Sequence, residues 1–251
     1  MGRRRRLHIP NAIVHITLKC HDSAMLLLDE ADKELYLAIL DETAREMDYG
    51  VVSFCLQDNH LHHIVETPPD IEGHTLSEFM FRVLNRFSHR FNQRHGRTGT
   101  VWNGRFRDTA WMSRNQLLAL EILLWYVEAN TWRRRVRPVP PWEWPWCSAY
   151  RLFHGRTDQP ATRLQDYVNR LYRARGDPLS EFRRLLSQQR PDWSKRARQS
   201  RFINLDRRTE LAVQHDLKHL NDSIQTATQR SWKLEVARYS MLAQPILHLV
   251  V

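Results

Sequence analysis

The stretch from Val51 to Thr67 restricts the fold more than any other part of the chain. Two apolar runs, Val51–Leu56 and Leu61–Thr67, flank the turn-forming pair Asp58-Asn59, a pattern that predicts an antiparallel hairpin. Side chains alternate between the faces of a strand, so His60 and His62 point to one side and His63 to the other. Two neutral imidazoles on one face of a rigid sheet suit a divalent metal. Such a pair in a strand is more often an ordinary surface or packed pair, so a metal site needs a third ligand and a reactive group from elsewhere.

The remaining elements follow from periodicity. Ile13–Leu18 is β-branched and short and reads as a first strand. Asp29-Glu30-Ala31-Asp32 opens an amphipathic helix through Met47, with its acids where the helix dipole favours them, and Tyr49-Gly50 ends it. Thr75-Leu76-Ser77-Glu78 has the form of a capping box and starts a helix running to about His95. That helix carries Phe79, Met80, Val83, Leu84, Phe87 and Phe91 on one side and Arg82, Arg86, Arg90 and Arg94 at intervals of four on another. Asn103-Gly104 marks a second tight hairpin within Val101–Arg107, and a long helix is expected from Asn115 to about Arg134. The Pro/Trp segment Pro138–Trp146 is expected to be non-helical and to pack its indoles on the domain. Helices alternating with antiparallel hairpins indicate an α+β domain over residues 1–154, a central antiparallel sheet with helices on its faces. Strand signals vanish after Gly155. Helical windows at Gln165–Arg175, Leu179–Gln188, Asp206–Asn221 and Thr226–Leu242, with a basic stretch from Lys195 to Arg201, predict an α-helical C-terminal extension over 155–251.

The formal net charge is +10, from 38 Lys and Arg against 28 acids, and Arg dominates. Arg donates paired hydrogen bonds to phosphate, and a basic chain with many aromatics suits a nucleic-acid partner. Codon bias of a GC-rich genome accounts for the same excess. Arg3–Arg6 reads either as a solvated tail or as a phosphate-contacting arm. No apolar run approaches the roughly 20 residues that span a bilayer, no signal-peptide pattern follows the basic start, and the three scattered cysteines suit a reducing cytoplasm.

Tyr126 and Asn130 stand four apart on the long helix and therefore share a face. If that face covers His60 and His62, the Asn130 amide oxygen completes a metal site and the Tyr126 phenol lies beside it. A phenol is a weak nucleophile at its ordinary pKa of about 10 and is activated by a divalent ion and a basic neighbour. The bland alternative is a core tyrosine beside Trp125.

These segments together resemble the IS200-like single-tyrosine transposases of the His-hydrophobic-His superfamily, and more closely their REP-associated branch. The resemblance runs from about residue 10 to 152. It is carried by Ile13–Thr17, Asn59-His60-Leu61-His62, Leu76–Met80, Phe91–Phe106, Tyr126-Val127-Glu128-Ala129-Asn130 and Trp144–Tyr150. It implies a nuclease fold of the ferredoxin-like kind, with His60, His62 and Asn130 holding Mg²⁺ or Mn²⁺. It also implies that Tyr126 attacks a phosphodiester of single-stranded or hairpin DNA, forming a 5′-phosphotyrosine and freeing a 3′-hydroxyl for strand transfer. Partners are then palindromic hairpin DNA in a bacterial, nucleoid-associated cytoplasmic setting. The protein is expected to act as a monomer or a homodimer, the choice resting on a hinge at Asp108–Asn115. Arg82, Arg86, Arg90, Arg94, Arg97 and Arg105 are phosphate-contact candidates from their basic spacing. Trp102 either stacks on a base or anchors its loop, and anchoring is favoured. Two positions depart from the family pattern: Asp58 stands where Pro is frequent, and Thr131 follows Asn130 in place of Pro. Asp58 next to a metal site is a further ligand or orients His60. Two other functions fit parts of the pattern: a domesticated hairpin-DNA-binding protein that does not cleave, and an unrelated zinc hydrolase using the His pair.

Overall fold

The computed structural model describes residues 9–69, 74–113, 116–133, 138–156, 162–188 and 202–204. The chain divides into two compact units, Met1–Asp108 with Glu121–Asp192, and Thr109–Leu120 with Trp193–Val251.

The first unit is built on three strands: β1 (Ile13–Lys19), β2 (Gly50–Leu56) and β3 (His60–Glu66). All pairings are antiparallel and the order is β2-β3-β1, followed by β4 (Arg107–Ser113), whose first two residues belong to this unit. The β2–β3 hairpin closes through Gln57 N donating to His60 O at 2.8 Å, around the expected Asp58-Asn59 turn. Register sets the faces. Thr17 pairs with His62 and Lys19 with His60, while Ile16 pairs with His63 and Leu18 with Leu61. Directly paired residues share a face.

Two helices cover the Ile16–His63 face. α1 (Glu30–Glu46) is capped by Asp29, whose Oδ1 accepts from Ala31 N at 2.9 Å, and α2 (Leu76–Arg94) by Thr75, whose Oγ1 accepts from Glu78 N at 3.2 Å. Tyr36 of α1 stacks on His63 and donates or accepts a 2.8 Å bond at its Nε2, and Phe87 of α2 packs edge-on against Tyr36. Trp102 meets Tyr36 and Phe87 at 5.8 and 5.4 Å and is only 6% exposed, so the indole is a loop anchor. The opposite face lies against the C-terminal half of α3 (Gln116–Glu128), which continues as a 3₁₀ turn, Ala129–Arg133.

Several expectations are corrected. α1 is ended by Asp48 in the left-handed region (φ 56°), where a short polar side chain is tolerated, and Gly50 already lies in β2. A Cβ at Gly50 would stand 2.8 Å from the guanidinium carbon of Arg163, which crosses it to pair with Glu66 at 2.6 Å, so a larger residue there would make that side chain shift. Asn103-Gly104 turns the chain, with Gly104 at φ 68°, but makes no hairpin. Its upstream arm pairs only as a bridge between Trp102 and Cys20 at the end of β1, because Asn103 N and Val101 O bond the β1 end and the residues after it. The Pro/Trp segment contains one 3₁₀ turn, Pro141–Glu143, with Pro141 at its first position, where the missing N–H costs nothing. Beyond it the chain runs along β2: Leu56 N donates to Trp146 O, Trp144 Nε1 donates to Leu56 O, and Cys147 bridges to Cys55. The otherwise open edge of β2 is thereby covered.

The expected boundary at 154/155 is crossed by the first unit. α4 (Ser148–Phe153), α5 (Leu164–Tyr172) and α6 (Pro178–Leu186) all belong to it. Trp125 and Trp132 donate their indole N–H groups to the Gln188 and Leu186 carbonyls, and Tyr172 donates to buried Glu121 at 3.0 Å. In the second unit a short strand, β5 (Phe202–Asn204), pairs antiparallel with Trp111–Ser113 of β4, between the expected helical windows, where no strand signal was read. The windows Asp206–Asn221 and Thr226–Leu242, the basic stretch Lys195–Arg201, and Arg3–Arg6 lie outside the described residues.

Candidate functional site

A cleft of about 830 Å³ opens on the face of the sheet that bears Thr17 and Lys19. His60, His62, Tyr126 and Asn130 all line it, with Asp58, Asn59, Lys19, Arg105 and Arg107 around them. Strand alternation delivers the two histidines to this face, and the helical spacing of four delivers Tyr126 and Asn130 together. The His60 and His62 ring centres are 5.3 Å apart. The Tyr126 ring stands edge-on to His62 at 5.6 Å and is 36% exposed, open to the cleft.

Each of these groups is held by a partner. Asn59 Nδ2 donates to Ser23 O at 3.3 Å, which turns its Oδ1 to His60 Nδ1 at 2.7 Å. An acceptor there places the proton on Nδ1 and leaves Nε2 its lone pair. Asn130 Nδ2 donates back to the carbonyls of Tyr126 (2.6 Å) and Val127 (3.3 Å), so its amide oxygen is the atom left to accept or ligate. Burial lowers the His60 pKa, helped by the Lys19 charge and opposed by Asp58. A neutral imidazole is the form that ligates a cation.

The donor set fits a hard or borderline divalent ion: two imidazole nitrogens and an amide oxygen, on two rigid elements, at a cleft open to solvent. Among the described residues no three His, Cys, Asp or Glu side chains gather as a metal site, so this set depends on Asn130. The carboxylate of Asp58, considered from sequence as a ligand, is engaged by Lys33 Nζ at 3.3 Å.

One residue of the site carried no signal in the sequence beyond lying in a strand. His15, on β1, places Nε2 3.0 Å from His62 Nδ1 and its ring edge-on to Tyr126 at 5.6 Å. Burial lowers its pKa to about 4. Glu128 lies in a segment that carries the resemblance, but no role was assigned to it from sequence. It is fully buried beneath the site, accepting from Ser53 Oγ at 2.6 Å and from Ala149 N at 3.1 Å, and burial pushes its carboxyl up to about 7 against the lowering effect of those bonds.

The basic stripe of α2 is placed differently from its sequence reading. Arg82 pairs with Glu78, Arg86 with Glu46, and Arg94 with Asp29 and Asp32, so three of the four arginines brace α2 or tie it to α1. Arg90 is exposed and Arg97 lies over the Phe91 ring at 5.5 Å; neither lines the cleft. Arg105 does, joined by Lys19 and Arg107, and all three are exposed.

Residues 8–130 match the family model described as transposase IS200 like. No curated protein matches the chain. Among solved structures the fold is similar to that of a REP-associated tyrosine transposase bound to a REP hairpin, with a TM-score of 0.50 at 17% identity, covering 65% of this chain and 98% of that one. A protein from Deinococcus radiodurans R1 described as a transposase aligns over 43% of this chain and 82% of its own, with a TM-score of 0.33 and 16% identity.

Proposed function

From the match of residues 8–130 to the IS200-like transposase model, we propose that the chain is a divalent-metal-dependent endonuclease and strand-transferase acting on single-stranded or hairpin DNA. The observation that carries the reading is the meeting of Tyr126, His60, His62 and Asn130 in one cleft, with the phenol open to solvent. Hairpin DNA as the substrate is supported by the fold shared with a transposase bound to a REP hairpin. Such a substrate is met in the cytoplasm, and no helix among the described residues is long and apolar enough to cross a membrane.

In this mechanism His60 Nε2, a nitrogen of His62 and the Asn130 amide oxygen would hold Mg²⁺ or Mn²⁺. When bound, the ion supplies Lewis-acid polarisation of the phosphodiester. Tyr126 Oη gives up its proton to the solvent to which the phenol is open and attacks phosphorus. The new O–P bond forms as the bond to the 3′ oxygen breaks, and that oxygen leaves as a 3′-hydroxyl after taking up a proton. The product is a 5′-phosphotyrosine, and attack by another 3′-hydroxyl reverses the step and rejoins strands without ATP. Lys19, Arg105 and Arg107 would hold the backbone on the rim, where an exposed cation can meet a phosphate.

Covalent trapping tests the reading. The full chain is incubated with labelled hairpin oligonucleotides and Mn²⁺, and SDS-resistant adducts are resolved. The expected result is an adduct that disappears in Tyr126→Phe and in excess EDTA, while a gel shift on the same hairpin persists. A gel shift with no adduct in any divalent metal would make the protein a non-cleaving binder. An adduct surviving Tyr126→Phe would remove the phenol from the mechanism.

A further inference from the structure

We infer that His15 is a positioning residue that holds His62 in the tautomer and orientation a cation ligand needs. The inference rests on the reading that His60, His62 and Asn130 hold a divalent ion.

His15 and His62 face the same side of the sheet from neighbouring strands. His62 is paired with Thr17, so His15 lies one pleat along, on the diagonal. Their ring planes are within 5° of parallel, their centres 5.3 Å apart, and His15 Nε2 is 3.0 Å from His62 Nδ1. A face-on stack would bring the centres closer. Parallel planes at this separation with so short an N···N distance describe two rings meeting edge to edge, the geometry of an in-plane N–H···N bond. One ring must donate and the other accept.

A ligand role for His62 settles the direction. With Nδ1 facing His15, Nε2 is the nitrogen that would meet a cation, and Nδ1 must then carry the proton and donate it to His15 Nε2. Ligating histidines generally give their second N–H to such an acceptor, which fixes the ring and raises its basicity. His60 has the same arrangement through Asn59 Oδ1 at 2.7 Å, so the two imidazoles are matched, each with an acceptor at Nδ1. His15 also stands edge-on to Tyr126 at 5.6 Å, so one strand residue borders both the ligand and the nucleophile.

The test is Mn²⁺ binding by the full-length protein without DNA, read by titration calorimetry and by loss of the free-ion EPR signal, at one fixed pH. His15→Leu should weaken Mn²⁺ binding by roughly 10- to 100-fold. His15→Gln keeps an acceptor at about the reach of Nε2 and should recover most of the loss. Melting temperature, and hairpin binding in EDTA, report folding for each variant. A merely structural role would shift melting and leave the Mn²⁺ affinities of folded Leu and Gln variants alike, overturning the inference. Wild-type affinity in folded His15→Leu would overturn it too. Absence of stoichiometric Mn²⁺ binding by the wild type, and by it alone among these results, would remove the metal reading itself and the inference with it.

Discussion

The Lys33 ammonium and the Asp58 carboxylate meet at 3.3 Å under the turn that presents His60, with 3% and 20% of their side chains exposed. Lys33 also donates to Leu28 O at 3.3 Å and lies over the rings of Trp144 and Trp146 at 5.7 and 5.6 Å. Asp58 is thus joined to α1 through a largely desolvated ion pair.

Breaking such a pair from one side leaves a charge without compensation in a poorly solvated place. Asp58→Asn should therefore destabilise the protein by about 3 kcal/mol. Lys33→Met removes the buried charge with its stem preserved and should cost less, and the double variant should lie well short of the sum. Urea denaturation of the three variants measures this. Losses that simply add in the double variant would show that the ion pair is not the cause.

Ser53 Oγ donates a 2.6 Å bond to Glu128, joining β2 to the helix that carries Tyr126. Ser53→Ala leaves a buried carboxyl short of a donor, and a cost of about 1–3 kcal/mol is expected. The denaturation midpoint should fall with an unchanged slope, since the same surface is exposed on unfolding. No change in midpoint would mean that Glu128 finds another donor.

Lys19, Arg105 and Arg107 line the cleft, whereas Arg82 and Arg86 are paired with Glu78 and Glu46. Alanine at any cleft cation should weaken hairpin binding and reduce the dependence of log K on log salt by about 0.7 to 0.9 per contact. Alanine at Arg82 or Arg86 should leave that slope unchanged. Fluorescence anisotropy across a salt series separates the two groups, and the opposite ranking would return the DNA interface to α2.

Cys20, Cys55 and Cys147 are all fully buried, and burial pushes the Cys20 thiol up to about 11 and Cys147 well above its usual range. The thiolate is the reactive form, so near pH 8 the native protein should be alkylated at these positions far more slowly than the unfolded chain. Cys20 should gain reactivity only as pH rises toward 11. Mass spectrometry after brief iodoacetamide treatment, with and without urea, measures the difference. Rapid native labelling at Cys20 would contradict its enclosure.

Much of the site was legible because its residues obey local periods. The alternation of a strand is enough to put His60 and His62 on one face and His63 on the other, and His63 indeed turns to Tyr36. The spacing of four is enough to join Tyr126 with Asn130. Helix starts at Asp29 and Thr75 were readable because a cap satisfies backbone donors within three residues of itself. The hairpin misread at Asn103-Gly104 shows the reverse: the turn chemistry is local, but the arm before it was claimed by Cys20 at the end of β1.

The sequence by itself determined the first strand, the two capped helices, the hairpin with its two same-facing histidines, and the paired tyrosine and asparagine, because each of these is set by interactions between residues close in the chain. Tertiary structure alone decided which distant groups meet. It brought His15 to His62 across 47 positions, Glu128 to Ser53 across 75, and Arg94 to Asp32 across 62, turning an apparent phosphate stripe into a helix brace. The physical reason is that a side chain's charge and hydrogen-bonding capacity are legible in sequence, while its partner is chosen by strand register and helix packing, which emerge only when the whole core closes.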